Sequence, residues 1–141
     1  MKTKLNFKQS LFAGLYAAVA SASVNAILFL ISHAAHIIVD TIQVQPNQPL
    51  TVVPVIISSI IPSIIGSIFF FLLEKFTNKG FMIFSVLSVV LTLLSLVIPF
   101  FVIAGVTTGY ALALAAMHLV VLTFLLYVIN RTIKTNQKDI R

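Results

Sequence analysis

Long apolar stretches separated by short polar intervals run through the whole chain. Residues 11–32 carry no charged side chain, and a second uncharged stretch covers residues 52–73. A helix rises about 1.5 Å per residue, so each stretch is long enough to cross a hydrocarbon core of about 30 Å. The pattern therefore predicts a transmembrane helix over each of them.

A third apolar run extends from Gly80 to Asn130 and contains no acidic or basic side chain except His118. The run is too long for one crossing but suits two crossings joined by a turn. Pro99, Gly105 and Gly109 are typical of such a turn. The whole pattern predicts an all-α polytopic membrane protein with four spans, at residues 11–32, 52–73, 81–102 and 110–130.

The composition indicates that lipid, rather than water, surrounds these helices. Apolar residues make up 60% of the 141 residues and charged residues 9%, and the mean hydropathy is +1.12. A soluble domain has about 45–50% apolar and about 25% charged residues. The chain has no cysteine, which excludes disulfide scaffolds and thiol redox chemistry. We expect one transmembrane domain over residues 1–141, located in the cell membrane and in contact with membrane lipid.

The positions of the basic residues predict the orientation of the chain. All nine lysines and arginines lie before the first span, between the second and third spans, or in the tail 131–141, and the loop 33–51 has none. Cytoplasmic connections are enriched in Lys and Arg, so both termini are expected in the cytoplasm and the loop outside. The spans then form an up-down bundle. The net charge of +6 does not indicate nucleic-acid binding, because the basic residues form no run with interleaved aromatics.

The N-terminal segment also resembles a secretory signal peptide. The basic residues up to Lys8, the apolar residues 11–19 and the small residues Ala20 to Ala22 match its three regions. The apolar run, however, continues through Ile27 to Ile31, beyond the usual length of such a signal. We therefore expect residues 1–22 to remain as part of the first span.

Small and polar residues recur at helical spacing on the second and third spans. In lipid, apolar side chains gain little by leaving the solvent, so helices associate through small residues and interhelical hydrogen bonds. These rows of small and polar residues, which we call seams, predict packing between helices. The packing partner is another helix of the chain, a second copy in a homo-oligomer, or a membrane-protein partner. A hydrated path for a small solute is the alternative interpretation. Packing is favoured, since Ser and Thr satisfy the carbonyl oxygen one turn earlier. The seam residues are Ser85, Ser88, Thr92 and Ser95 on the third span and Ser59, Ser63 and Gly66 on the second.

Two polar residues lie deep within the predicted spans. His118 and Asn25 are each about 12 Å from the outer ends of the fourth and first spans, counted along the helices. An ionisable group at this depth is costly, so we expect Asn25 and His118 to share a hydrogen bond. A neutral histidine that fastens two helices is the favoured interpretation. A proton-accepting or ligand-binding polar centre is the functional alternative.

A second constellation lies where the first span leaves the membrane. His33, His36 and Asp40 are separated by three and four residues, which places them on one arc if the helix continues. Two imidazoles, a carboxylate and water would suit zinc, nickel or copper. Histidine and aspartate are also common where a transmembrane helix reaches the membrane–water interface. The segment moreover has no fourth metal ligand. We expect no cofactor, with an outer-face metal as the alternative.

As a whole, the chain resembles short four-span bacterial membrane proteins that are grouped as domains of unknown function. The features that carry this resemblance are Asn25 followed by an apolar run to His33, Pro62 in the second span, and the pair Met117 and His118 in the fourth. The resemblance implies a four-helix fold and no particular activity.

The sequence contains no recognisable catalytic arrangement. No lysine, aspartate or glutamate lies inside a span, and His118 has no acidic partner for serine hydrolysis. The leading hypothesis is a non-catalytic membrane component that binds a partner protein or lipid. A channel or carrier for a small solute or ion, centred on Asn25 and His118, is the second hypothesis. A membrane metalloprotein with a site at the outer face is the third.

Overall fold

Four helices, each long and apolar enough to cross a membrane, form the protein in a computed structural model that describes residues 4–45 and 48–138. A short antiparallel strand pair lies in the connection between the first two helices. In chain order the elements are α1 (Phe7–Ala34), β1 (Gln43–Gln45), β2 (Gln48–Pro49), α2 (Val52–Phe76), α3 (Gly80–Val102) and α4 (Thr108–Lys138).

The helices run alternately up and down, as predicted. At one end, Lys4 Nζ donates to the carbonyl oxygens of Lys75 and Thr77, at 3.4 and 3.1 Å. At the same end, Gln9 Nε2 donates to Asn136 Oδ1 at 2.9 Å. The start of α1, the end of α2 and the end of α4 therefore lie together. We call this the basic end, because the described lysines and the arginine lie there.

Helix α1 begins before the first predicted span because a capping box defines its start. Asn6 Oδ1 accepts from the backbone N–H of Gln9 at 2.8 Å, and Gln9 Oε1 accepts from the backbone N–H of Asn6 at 3.0 Å. These bonds satisfy two backbone donors that the first turn of a helix leaves unpaired. The apolar pattern carries no information about this turn, which lies outside the stretch 11–32.

Small residues bring α1 and α2 close together. A Cβ atom on Gly14 would overlap the side chain of Ser67, so only glycine fits at this crossing. Ser63 and Ser67 are buried, and their hydroxyls donate to carbonyl oxygens of α2 itself. Close approach of small residues is a main source of helix association in lipid. The α1–α2 interface is of this kind, and α1 also packs against α4.

Helix α3 is attached to the bundle much more loosely. It packs against α2 and α4 and has no contact with α1 within the described residues. Its only buried residues are Gly80, Phe84 and Pro99, which lie near its two ends. Phe84 meets Phe70 of α2 edge to face, with ring centroids 5.5 Å apart. The middle of α3 has no buried residue, and a cavity separates it from α2 and α4.

Candidate functional site

A cavity of about 860 Å³ lies between α2, α3 and α4. Most of its wall is apolar, and Pro62 and Phe69 of α2 and Leu91 of α3 are representative lining residues. Asn25 of α1 and Met117 of α4 also line the cavity and are buried, and we call this part of the wall its floor. The polar residues of the wall are Asn25, Ser58, Ser59, Ser88, Thr92, Ser95 and His118.

Asn25 fastens three helices together at the floor of the cavity. Its side chain is buried, with 2% of its surface exposed. Nδ2 donates to Ser59 Oγ of α2 at 2.9 Å and to the carbonyl oxygen of Met117 of α4 at 3.0 Å. Ser59 Oγ in turn donates to the carbonyl oxygen of Val55 at 2.8 Å. Oδ1 of Asn25 is buried and has no hydrogen-bond partner in the part of the chain that the structure describes.

The expected hydrogen bond between Asn25 and His118 is not formed. Asn25 bonds instead to the backbone of Met117, the residue before His118. The imidazole of His118 is engaged instead by the Leu114 carbonyl oxygen of its own helix. The two residues nevertheless line the same cavity.

The ring of His118 is exposed and held by its own helix. Nδ1 lies 2.8 Å from the carbonyl oxygen of Leu114, one turn earlier. A carbonyl oxygen only accepts, so Nδ1 carries the proton of this hydrogen bond. In the neutral ring, Nε2 is therefore a hydrogen-bond acceptor, and His118 is one of the residues that line the cavity.

The polar seam of α3 faces inward. Ser88, Thr92 and Ser95 line the cavity, and Ser95 Oγ donates to the carbonyl oxygen of Thr92 at 2.7 Å. Ser85 lies outside the cavity and donates to the carbonyl oxygen of Phe81 at 2.8 Å. Most of the seam is thus directed towards the cavity of the same chain.

The predicted seam of α2 divides between two neighbours. Ser63 is buried beside Gly14 of α1. Ser59 and Gly66 line the cavity instead, and a Cβ atom on Gly66 would lie 2.9 Å from Leu125 Cδ2 of α4. The hydroxyls of this seam thus serve contacts within the bundle.

The outer constellation does not come together as the spacing predicted. His33 Nε2 and Asp40 Oδ1 form a pair at 3.2 Å, and the His33 ring stacks on Phe29 with centroids 5.7 Å apart. Within residues 4–45 and 48–138, no group of three or more His, Asp or Glu side chains is placed to hold a metal ion. His36 is the residue that does not join the pair.

The termination of α1 explains the position of His36. The N–H of Ile37 donates to the carbonyl oxygen of Ser32 at 2.9 Å, and the N–H of His36 donates to that of His33 at 3.0 Å. This is the Schellman arrangement, in which the residue after the cap is left-handed. His36 is that residue, with φ of 56°. Because the helix ends before His36, the predicted common arc does not exist.

The cavity itself was not predicted from the sequence. Its polar residues other than Ser58 are predicted site residues, but their spacing favours packing between helices, with a hydrated path as the alternative. A weak signal was present in α3, where only serine and threonine interrupt long apolar side chains along the middle of the helix. Residues 81–102 include no glycine or alanine, the two smallest residues, which permit the closest approach of a neighbour.

Comparison with known proteins identifies a family that the chain matches. Residues 6–135 match the model of a family of unknown function, DUF6069. No curated protein matches the chain. No solved structure matches it either.

Proposed function

Because the chain belongs to DUF6069, a family of unknown function, its role has to be inferred from the structure, and we propose that it is a non-catalytic membrane component that binds membrane lipid. The lipid chain occupies the cavity between α2, α3 and α4. The observation that carries this proposal is the size and lining of that cavity.

The volume and the chemistry of the cavity suit an apolar ligand. Sites for small ligands commonly have volumes of about 300–1,000 Å³ and mostly apolar walls with a few polar groups. The cavity of about 860 Å³ lies within this range, and its wall has the same character. It is bounded by helices that we place in the hydrocarbon core, where acyl chains are the most abundant ligands.

Three of the five hydroxyl groups of the wall support lipid over a hydrated solute. Ser58 and Ser59 both donate to the carbonyl oxygen of Val55, at 3.0 and 2.8 Å, and Ser95 donates to Thr92. These protons are engaged within their own helices, as is common for serine in transmembrane helices. They are therefore poorly placed to replace the water shell of a passing ion.

We also propose that the basic end of the bundle faces the cytoplasm, which places both termini there. Seven described cations lie at this end, and Glu74 is the one acidic residue among the described residues there. The cysteine-free chain allows a direct test with single cysteines and a membrane-impermeant maleimide on intact cells. Thr41→Cys in the loop should react and Asn78→Cys between α2 and α3 should not; the reverse result would overturn this orientation.

Native mass spectrometry of protein extracted in a mild detergent tests the binding of lipid. The wild type should retain lipid, and Thr92→Trp should lose most of it because the indole obstructs the cavity. Leu93→Trp is the matched control, since Leu93 is exposed and does not line the cavity. Equal lipid retention by the two variants, or none by the wild type, would contradict the proposal.

Passage of a small solute is a second candidate function. It is favoured by Ser88, Thr92 and Ser95, which line the same cavity as His118 and form the one polar strip of α3. Reconstituted liposomes test it through the flux of ions or small neutral solutes. Flux that is lost in His118→Ala and Asn25→Ala would support a channel or carrier. Flux that equals that of empty liposomes would contradict it.

A further inference from the structure

We propose that the molecule bound in this cavity carries a hydrogen-bond donor, such as a hydroxyl group, and that Nε2 of His118 accepts it. This inference rests on the proposed function, because it specifies the chemistry of the ligand in the same cavity. It assigns His118 as a residue that determines specificity, rather than as a fastening between helices.

The first argument is the placement of His118. The residue lies ten positions after Thr108, where α4 begins, which corresponds to about 15 Å along the helix axis. At such depth the surrounding lipid chains offer no hydrogen-bond partner to a polar group. The ring makes no hydrogen bond to another helix in the described chain, and Leu114 occupies only Nδ1. The structure thus leaves a cavity-lining acceptor to be satisfied by a ligand.

The second argument is that several of the other polar groups of the wall present acceptors, although the hydroxyls of Ser88 and Thr92 have no partner in the described chain and can donate as well as accept. The protons of Ser58 and Ser95 are donated to carbonyl oxygens, so their oxygens remain as acceptors, while Ser59 Oγ already accepts from Asn25. Both protons of the Asn25 amide are likewise used, on Ser59 and Met117. A ligand with a hydroxyl or N–H group complements such a wall, whereas an ether, ketone or ester offers it no proton.

The third argument is that the backbone around His118 is fixed. Asn25 Nδ2 bonds to the carbonyl oxygen of Met117, which fastens α4 to α1 immediately before His118. The Leu114 carbonyl then orients the imidazole ring. An acceptor held in this way loses little conformational freedom when a donor binds, which favours affinity and selectivity.

The test uses two probes of equal chain length, a long-chain alcohol brominated along its chain and the methyl ether of the same alcohol. The protein contains no tryptophan, so Phe69→Trp on the cavity wall provides a single fluorophore that bromine quenches. Tyr127→Trp, which is exposed and outside the cavity, measures the quenching caused by partition into the detergent or bilayer. The difference between the two reporters gives binding to the cavity.

With His118 present, the alcohol should bind about three to ten times more tightly than the ether, as expected for one hydrogen bond. His118→Phe keeps an aromatic ring without the acceptor and should reduce this ratio to about one. His118→Gln restores an acceptor and should recover part of the preference. We expect both substitutions to preserve the packing of α4, because the ring of His118 is exposed and bonds only to its own helix.

If the alcohol and the ether bind equally tightly, both with His118 present and in His118→Phe, this inference is overturned and lipid binding is left intact. An unchanged preference in His118→Phe would also overturn it. Quenching of Phe69→Trp that never exceeds that of Tyr127→Trp, with either probe, would instead contradict the proposed function itself.

Discussion

Helices α1 and α3 pack against the same two neighbours and do so in opposite ways. Helix α1 contacts α2 and α4 along its length and buries nine residues, most of them alanine, serine or glycine. Helix α3 contacts the same pair but buries three residues near its ends. The more apolar helix is the less buried one. This order would be surprising in water and is expected in lipid.

The difference shows what holds helices together when lipid is the solvent. A leucine loses no water when it moves from acyl chains to a protein neighbour, so a long apolar helix has no hydrophobic reason to pack. Close approach of small residues and hydrogen bonds across helices provide the attraction instead. Helix α1 has Gly14 for close approach and Asn25 for bonding, whereas α3 offers neither along its middle.

The largest expected effect concerns the attachment of α3. Phe84→Ala removes the ring that packs against Phe70 and leaves α3 with only Gly80 and Pro99 buried. We expect a loss of about 3 kcal/mol in the free energy of unfolding, measured by circular dichroism in mixed detergent micelles. Phe101→Ala is the control, because Phe101 is 83% exposed, and its change should stay within about 0.5 kcal/mol. Similar losses in both variants would show that Phe84 has no special role.

A somewhat smaller effect is expected at the crossing of α1 and α2. Gly14→Ala introduces a Cβ atom that overlaps Ser67, so the two helices must separate. The expected loss is about 2 kcal/mol in the same denaturation experiment. Gly109→Ala is the matched change, since its Cβ atom would make an ordinary contact with Ile37 at 3.5 Å. A variant at Gly14 as stable as the one at Gly109 would mean that the helices are not in close contact.

Removal of the interhelical amide should have an intermediate effect. Asn25→Leu eliminates the hydrogen bonds to Ser59 and to the carbonyl oxygen of Met117. Each such bond in a membrane contributes about 0.6 kcal/mol on average, so a total loss of about 1 kcal/mol is expected. Ser23→Ala removes a hydroxyl that donates only to Val19 of its own helix and should change stability much less. A gain in stability for Asn25→Leu would contradict the fastening role.

The smallest expected effect is a gain at the outer end of α1. His36 has the left-handed φ of 56° that glycine adopts without strain. His36→Gly relieves about 1–2 kcal/mol of strain and adds about 0.5–1 kcal/mol of unfolded-chain entropy, so a net gain of about 0.5 kcal/mol is expected. Thermal unfolding should show it as a raised midpoint. Ala35→Gly, at a φ of −81°, should lower the midpoint, and a lower midpoint for His36→Gly would contradict the capping role.

The four helices were predictable because hydropathy and length are properties of each segment alone. The starts and ends of the helices were less predictable. They depend on hydrogen bonds to the backbone around Asn6 and His36, which the apolar pattern does not encode. At the candidate site, Asn25 and His118 could be identified because both are polar residues deep within predicted spans. Their partners depended on the relative rotation of α1 and α4, which no spacing within one helix determines.

One pair of identical substitutions tests most directly whether the tight α1–α2 interface and the open face of α3 coexist in this bundle. Ser63 is 0% exposed beside Gly14, whereas Ser88 lines the cavity. In parallel denaturation experiments, we predict that Ser63→Leu loses about 3 kcal/mol by overpacking, while Ser88→Leu stays within about 0.5 kcal/mol of the wild type. Equal losses at the two positions would show that α3 is packed as closely as α1, and would contradict the existence of the cavity.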